Sequence, residues 1–348
     1  MSSLRKCSHA ATYFPRSLLT HCADSRLLST QRTTRTITLL CRDVKKTKPL
    51  RRAICAAFLG LNLPRGLARA FSSMPPPVEK WWTNETVAVV TGANKGIGYE
   101  IARQLAAEGL KTIVTARNAE LGQEAADKIA RSTGSSNVQF QRLDISDPAS
   151  VKEFGKWAKA ELSTVSVLVN NAGIAFKGNT FGPEEAATTL ATNFTGTRAV
   201  CESVLPLMPE QSRIINVCSL AGKLRIIKSN ALKERFEGAS SPDKVAELGQ
   251  EYVNGVKSGA FSEQGWPGSM YGVSKLCEAT YTRVLAEQCR SKGISVYACC
   301  PGYVATDMSS WRGHKTTEQG AQTPVWLSLH APLDGTGKFY SDCKEEPF

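Results

Sequence analysis

A chain of 348 residues is longer than one ordinary domain needs and awkward for two, and with 42% apolar residues it can bury a core. A formal charge of +12 first points to nucleic acid or an anionic surface, but 14 Lys and Arg against two acids lie between Met1 and Met74, leaving 29 of each sign in the remainder. The body of the chain is therefore neutral, which excludes nucleic acid as its partner.

Residues 1–73 are rich in Arg, Ser, Thr and Leu and almost free of acid, as organellar transit peptides are. Arg69-Ala70-Phe71-Ser72-Ser73 resembles a mitochondrial processing site, and plastid transit peptides share the composition. The expectation is a mature protein in mitochondrion or plastid after removal of this extension, or a cytosolic one if Met74 is the true start. The longest apolar run there, Ala53 to Leu61, is too short to span a bilayer, which takes about 20 residues. No membrane insertion is expected. Pro75-Pro76-Pro77 sits in a linker over 74–84, since proline does not continue a helix.

From 85 a strand–helix rhythm begins. Glu85 to Val90 reads as a buried strand, and Ile97, Ile101 and Leu105 recur at helical spacing before Gly109. Lys111–Thr115 is a second strand, Asn118–Ala130 a second helix and Val138–Leu143 a third strand. Asp147 opens a helix with Val151, Phe154, Trp157 and Leu162 inward, and Val165–Val169 is the fourth strand. One long helix is expected over Pro183–Leu207, then a strand at Arg213–Val217, a helix at Tyr271–Cys289, a strand at Ile294–Cys299 and a late strand near Lys338–Ser341. This alternation predicts the α/β class: a doubly wound parallel sheet of Rossmann type in a single domain over 85–348. About 223–267 breaks the rhythm. It is polar at first; then Ser241-Pro242-Asp243 opens a helix with Val245, Leu248, Tyr252 and Val256 on one face. This helical insertion is either a surface excursion or a wall of the pocket.

The first strand runs into Thr91-Gly92-Ala93-Asn94-Lys95-Gly96-Ile97-Gly98. Gly92 permits the tight turn, Gly96 lets backbone approach a pyrophosphate, and Gly98 lets the helix pack close, with Asn94 and Ile97 in the same segment. After the second strand comes Thr115-Ala116-Arg117-Asn118, without the acid that would accept from a ribose 2′-hydroxyl. Arg117 with Lys95 suits a 2′-phosphate instead, so the expected cofactor is NADPH rather than NADH. The seven cysteines after Met74 show no CxxC, and His9, His21, His314 and His330 are scattered. Neither a metal site nor a disulfide framework is expected.

The glycine loop, Leu143-Asp144-Ile145-Ser146-Asp147, Asn170-Asn171-Ala172-Gly173, Thr192–Thr197, Asn216-Val217-Cys218-Ser219, Tyr271-Gly272-Val273-Ser274-Lys275 and Cys299–Met308 stand in one order. In that order the chain resembles the short-chain dehydrogenase/reductase family, above all its monomeric carbonyl reductases and plant menthone-reductase-like members, from about Trp81 to the C-terminus. The resemblance implies hydride transfer between NADPH and a small ketone, aldehyde or quinone. Tyr271 would be the proton donor, Lys275 would lower its pKa, Ser219 would hydrogen-bond the carbonyl, and Asn193 would hold a water for proton resupply. It implies Asp144 and Ile145 around the adenine, Asn171 by the ribose, and Pro301, Gly302, Val304 and Thr306 around the nicotinamide. Tyr303 and Trp266 become pocket candidates, though either suits a core equally. The insertion implies a monomer, because the surface it would cover joins subunits in most of the family. Cys218 stands where serine is more usual, and Cys300 near the nicotinamide is either a reactive thiol or an inert buried one. The same residues suit oxidation of a secondary alcohol such as a terpenoid, or, without turnover, an NADP-binding sensor.

Overall fold

The described residues of this computed structural model are 80–347; the readings made for 1–79, namely the extension, its processing site and most of the proline linker, lie outside them. The apolar runs form the strands expected of them. β1 (Val87–Val90), β2 (Lys111–Ala116), β3 (Val138–Arg142), β4 (Val167–Asn170), β5 (Arg213–Val217), β6 (Ser295–Cys300) and β7 (Phe339–Ser341) run parallel in the spatial order β3-β2-β1-β4-β5-β6-β7. β8 (Lys344–Glu346) turns back antiparallel on the edge of β7.

Helices cover both faces. Against one lie α1 (Gly96–Ala107), α2 (Ala119–Thr133) and α9 (Thr317–Leu329), which bury Ile101, Leu105, Ile129 and Leu327. Against the other lie α3 (Pro148–Glu161), α5 (Thr197–Val204) and α8 (Met270–Cys289), which bury Phe154, Val200, Val204 and Tyr281. β1 is apolar along its whole length, and every residue of β5, Arg213 and Asn216 included, is buried, because neither face meets water. The strand order reverses between β1 and β4, and in such sheets the crevice beyond the strands' carboxyl ends is where ligands bind.

The expected helix over 183–207 is divided. α4 (Pro183–Leu190) passes into a π-turn, Ala191–Gly196, before α5 resumes, and Leu205–Leu207 tightens to 3₁₀. A π-turn carries more residues per turn than α and gathers at functional sites. Here the Asn193 amide draws the segment toward the Ile174 backbone. The insertion holds two helices rather than one. α6 (Asn230–Glu237) is capped by Ser229, and α7 (Pro242–Ser258) by Ser241. Val245, Leu248, Tyr252 and Val256 of α7 are all buried, as their spacing predicts. Arg283 of α8 donates to the carbonyls of Phe236 (3.0 Å) and Ala239 (2.9 Å), which fastens the insertion to that helix.

Candidate active site

Gly92 and Gly96 both have left-handed backbone, with φ +62° and +61°. A β-carbon on Gly98 would collide with the Asn171 amide and the Gly92 carbonyl oxygen. Asn171 donates to the carbonyls of Thr91 (3.0 Å) and Gly92 (3.2 Å), so its side-chain N–H groups hold the loop. A β-carbon on Gly96 would meet the Thr306 methyl at 3.6 Å, so the loop after β6, carrying Pro301, Gly302, Val304 and Thr306, faces the glycine loop across the crevice. Asn94 and Ile97 are partly buried in its wall.

At the end of β2 the Arg117 side chain is exposed and makes no ion pair among the described residues. Ala116 is in register with Arg142, whose Nε donates to the Arg117 carbonyl at 3.2 Å. Two guanidinium groups thus flank this end of the sheet; the second went unread because a lone Arg at a strand end carries no signal until the register is known. The Lys95 ammonium is bonded to Asp307 (2.6 Å) across the crevice, and the ion pair is exposed at both ends, hence weakly held. Asp144 accepts from the backbone N–H (3.0 Å) and hydroxyl (2.7 Å) of Ser146, and buried Ile145 lies beneath Gly196 of the π-turn.

Tyr271 and Lys275 open α8, which Ser269 caps by accepting from the Gly272 N–H at 3.0 Å. Their i, i+4 spacing puts the Lys275 ammonium 6.0 Å from the centre of the Tyr271 ring. Ser219 lies at the end of β5 and its hydroxyl is within reach of the phenol. Asn193 is fully buried and both of its amide hydrogens are engaged: it donates to the Ile174 carbonyl and the Ser274 hydroxyl (2.9 Å each) and accepts from Ile174 N–H (2.7 Å). A water at this residue would therefore have to donate, to the side-chain oxygen or to the backbone carbonyl. Gly173 lies against both Asn193 and Lys275, where a β-carbon would be 3.1 Å from Asn193 Oδ1 and 3.6 Å from Lys275 Nζ.

The electrostatics depart from the simple expectation of a lowered phenol. Burial pushes the Tyr271 phenol up, the Lys275 ammonium pulls it down, Glu278 pushes it up again, and the balance is upward. Lys275 is 4% exposed; burial works against its charge, but Glu278 together with Tyr271 and Cys218 more than restores it, so its pKa stands above the ordinary value. Sequence reasoning passed over Glu278. Its only signal is a carboxylate three residues after Lys275 in a helix otherwise heading for the core.

A cleft of about 380 Å³ opens beside Tyr271, lined by Phe176, Phe181, Thr189, Ser269 and Met270 among others. Trp266 is not there, which corrects its assignment to the substrate pocket. It is 2% exposed and packs on Phe236 and Tyr252 with ring centres 5.9 and 5.6 Å away, so it is the core of the insertion. Tyr303 does not line the cleft either; it is half exposed and stacks loosely on His314. The Phe176–Phe181 segment supplies the aromatic wall instead, with Phe181 on Phe261 of the insertion at 5.1 Å. Cys218 is buried, and burial pushes its thiol well up. Cys300 is buried too, its sulfur accepting from Gly302 N–H at 3.3 Å.

The model of the short chain dehydrogenase family matches residues 86–231 and 253–316, leaving a gap at 232–252 inside the insertion. Carbonyl reductase 1 (NADPH) of Mus musculus is 41% identical over 278 residues, which span 76% of this chain and 99% of that one. Carbonyl reductase 3 (NADPH) of Rattus norvegicus is 41% identical over 255 residues, 71% of this chain and 91% of the rat protein. Among solved structures, salutaridine reductase from Papaver somniferum superposes with a TM-score of 0.67 at 30% identity, covering 74% of this chain and 100% of that one. Menthone neomenthol reductase from Mentha piperita gives 0.64 at 28% identity over 74% and 98% of the two chains. A family match over more than half the chain, joined to the glycine loop, the parallel sheet and the Tyr271–Lys275 helix, places this chain in the short-chain dehydrogenase/reductase family.

Proposed function

We propose that the chain reduces small ketones, aldehydes or quinones with NADPH, Tyr271 delivering the proton to the carbonyl oxygen. The observation that carries this reading is the position of the Tyr271 phenol: beside the Lys275 ammonium, within reach of Ser219, at the wall of an aromatic-lined cleft. The names of the mouse and rat relatives support both cofactor and substrate class. When bound, the reduced nicotinamide supplies the hydride.

The chain's residues fit that cofactor. The left-handed Gly92 and Gly96 and the tight Gly98 leave backbone N–H groups of α1 free for a pyrophosphate. Arg117, Arg142 and Lys95, once freed from Asp307, are cations for a 2′-phosphate, and no carboxylate follows β2 to favour the unphosphorylated form. In the reaction the Ser219 hydroxyl donates to the carbonyl oxygen and orients it, while Phe176, Phe181 and Met270 exclude water from the reacting carbon. As the carbon accepts hydride, the oxygen takes the Tyr271 proton.

The test is NADPH oxidation by the full chain, followed by absorbance, against quinones, aromatic aldehydes and cyclic ketones, with NADH in parallel. NADPH-preferring turnover is expected. Arg117→Ala should weaken NADPH binding about ten- to a hundredfold, the worth of one charge-assisted bond, and leave NADH unchanged. Equal losses for both cofactors would remove Arg117 from the 2′-phosphate site.

The same packing supports a monomer, since α6 and α7 lie over α8 within one chain. Light scattering should give the mass of a single chain; a stable tetramer would contradict this.

A further inference from the structure

Glu278 is 1% exposed, and its carboxylate meets the Lys275 ammonium at 2.6 Å. An ammonium has three donors. Here Glu278 Oε2 takes one and the Val217 carbonyl takes another at 2.8 Å, so Lys275 is tied to α8 and to the end of β5 at once. The second carboxylate oxygen, Oε1, is buried and has no hydrogen-bond partner among the described residues. Burying a carboxylate is costly, and leaving half of it unsatisfied adds to the cost. Neither packing nor capping accounts for it: α8 is capped elsewhere and is buried along nearly its whole length.

We propose that Glu278 is a positioning residue, which fixes the Lys275 ammonium and offsets part of the positive field that the Tyr271 phenol feels. The proposal rests on the catalytic reading given above. The charge arithmetic is simple. An unpaired ammonium one turn from the phenol strongly favours phenolate; an ammonium paired with a carboxylate presents a dipole and favours it less. The other titratable groups near the carboxylate are the Tyr271 phenol and three thiols, those of Cys201 on α5, Cys218 after β5 and Cys299 in β6. Burial pushes those of Cys201, Cys218 and Cys299 up, so they stay neutral, and Lys275 is the one cation acting on Glu278. The influence on Tyr271 runs in the expected direction, Lys275 pulling the phenol down and Glu278 pushing it up.

This arrangement gives opposite effects in the two directions of one reaction. Carbonyl reduction needs the protonated phenol and is lost as pH rises through its pKa; alcohol oxidation needs the phenolate and is gained there. Neutralising Glu278 lets Lys275 act alone and lowers that pKa. Burial raises the Glu278 carboxyl to about 7, so its charge is fully present only above neutrality. There, in the full chain, Glu278→Gln should move the alkaline limb of reduction to lower pH and should speed alcohol oxidation. Glu278→Asp keeps the charge but draws it back, so its limbs should fall between the other two. A purely structural glutamate predicts something else: both directions slowed by one factor, with the limbs unmoved. That result, or an unshifted profile in a folded Gln variant, overturns the proposal. If circular dichroism shows that the Gln chain does not fold, Glu278→Asp carries the same test, and unshifted limbs there overturn it. Tyr271→Phe in parallel separates the two readings. Surviving turnover overturns both, whereas an inactive Phe variant beside an unshifted Gln variant overturns only this one.

Discussion

Replacing Tyr271 with phenylalanine is expected to slow carbonyl reduction by about two to four orders of magnitude, the usual worth of a positioned general acid. The ring stays and only the hydroxyl leaves, and the partner it loses is the Ser219 hydroxyl. NADPH affinity, read by quenching of protein fluorescence, and the unfolding temperature should therefore stay close to those of the unsubstituted chain. Loss of rate with binding intact locates the defect in proton delivery; turnover within tenfold of the original would remove Tyr271 from that role. The pH profile carries the same information. Burial holds the phenol above its ordinary value, so it is protonated at neutral pH and reduction should fail only on the alkaline side.

Trp266→Ala should damage stability rather than selectivity. The indole sits between Phe236 of α6 and Tyr252 of α7, and truncating a buried tryptophan costs about 3–5 kcal/mol. For a domain of this size that is a fall in Tm on the order of 10 °C. Nothing in the cleft beside Tyr271 is removed, so kcat/KM across a panel of carbonyls should keep its rank order well below the transition. A changed rank order with an unchanged Tm would mean that Trp266 belongs to the pocket after all.

The contrast between Trp266 and Phe181 shows where sequence reasoning stops. Strands, helices and the glycine loop are legible because their signals are local: an apolar run such as Val87–Val90, a period of 3.6, a glycine between strand and helix. The Tyr271–Lys275 pair is legible for the same reason, being one helical turn long. The rest is decided by encounters between distant segments. Lys95 finds Asp307 far along the chain, Arg142 reaches Arg117 through strand register, and Phe181 finds Phe261. Two elements were hidden by their own composition. α9 contains Gly320 and Pro324, both poor helix residues, and its Thr316–Gln319 capping box is the signal that outweighs them. β8 is Lys344-Glu345-Glu346, too polar to read as a strand, and its turn uses left-handed Asp342 and Cys343 without the glycine that marks a tight hairpin.

The π-turn bears on how this fold tolerates insertion and deletion. Ala191–Gly196 is wound wider than the α-helix on either side and so accommodates a surplus residue. Excising one residue would close α4 and α5 into a single unbroken rod with its backbone bonds complete and its apolar stripe in phase. Asn193, however, would be drawn back from Ile174 and Ser274, and the wall beside Lys275 would open. A one-residue gap in this stretch of a homologous gene would thus strike the wall beside Lys275 while leaving the run of helix whole.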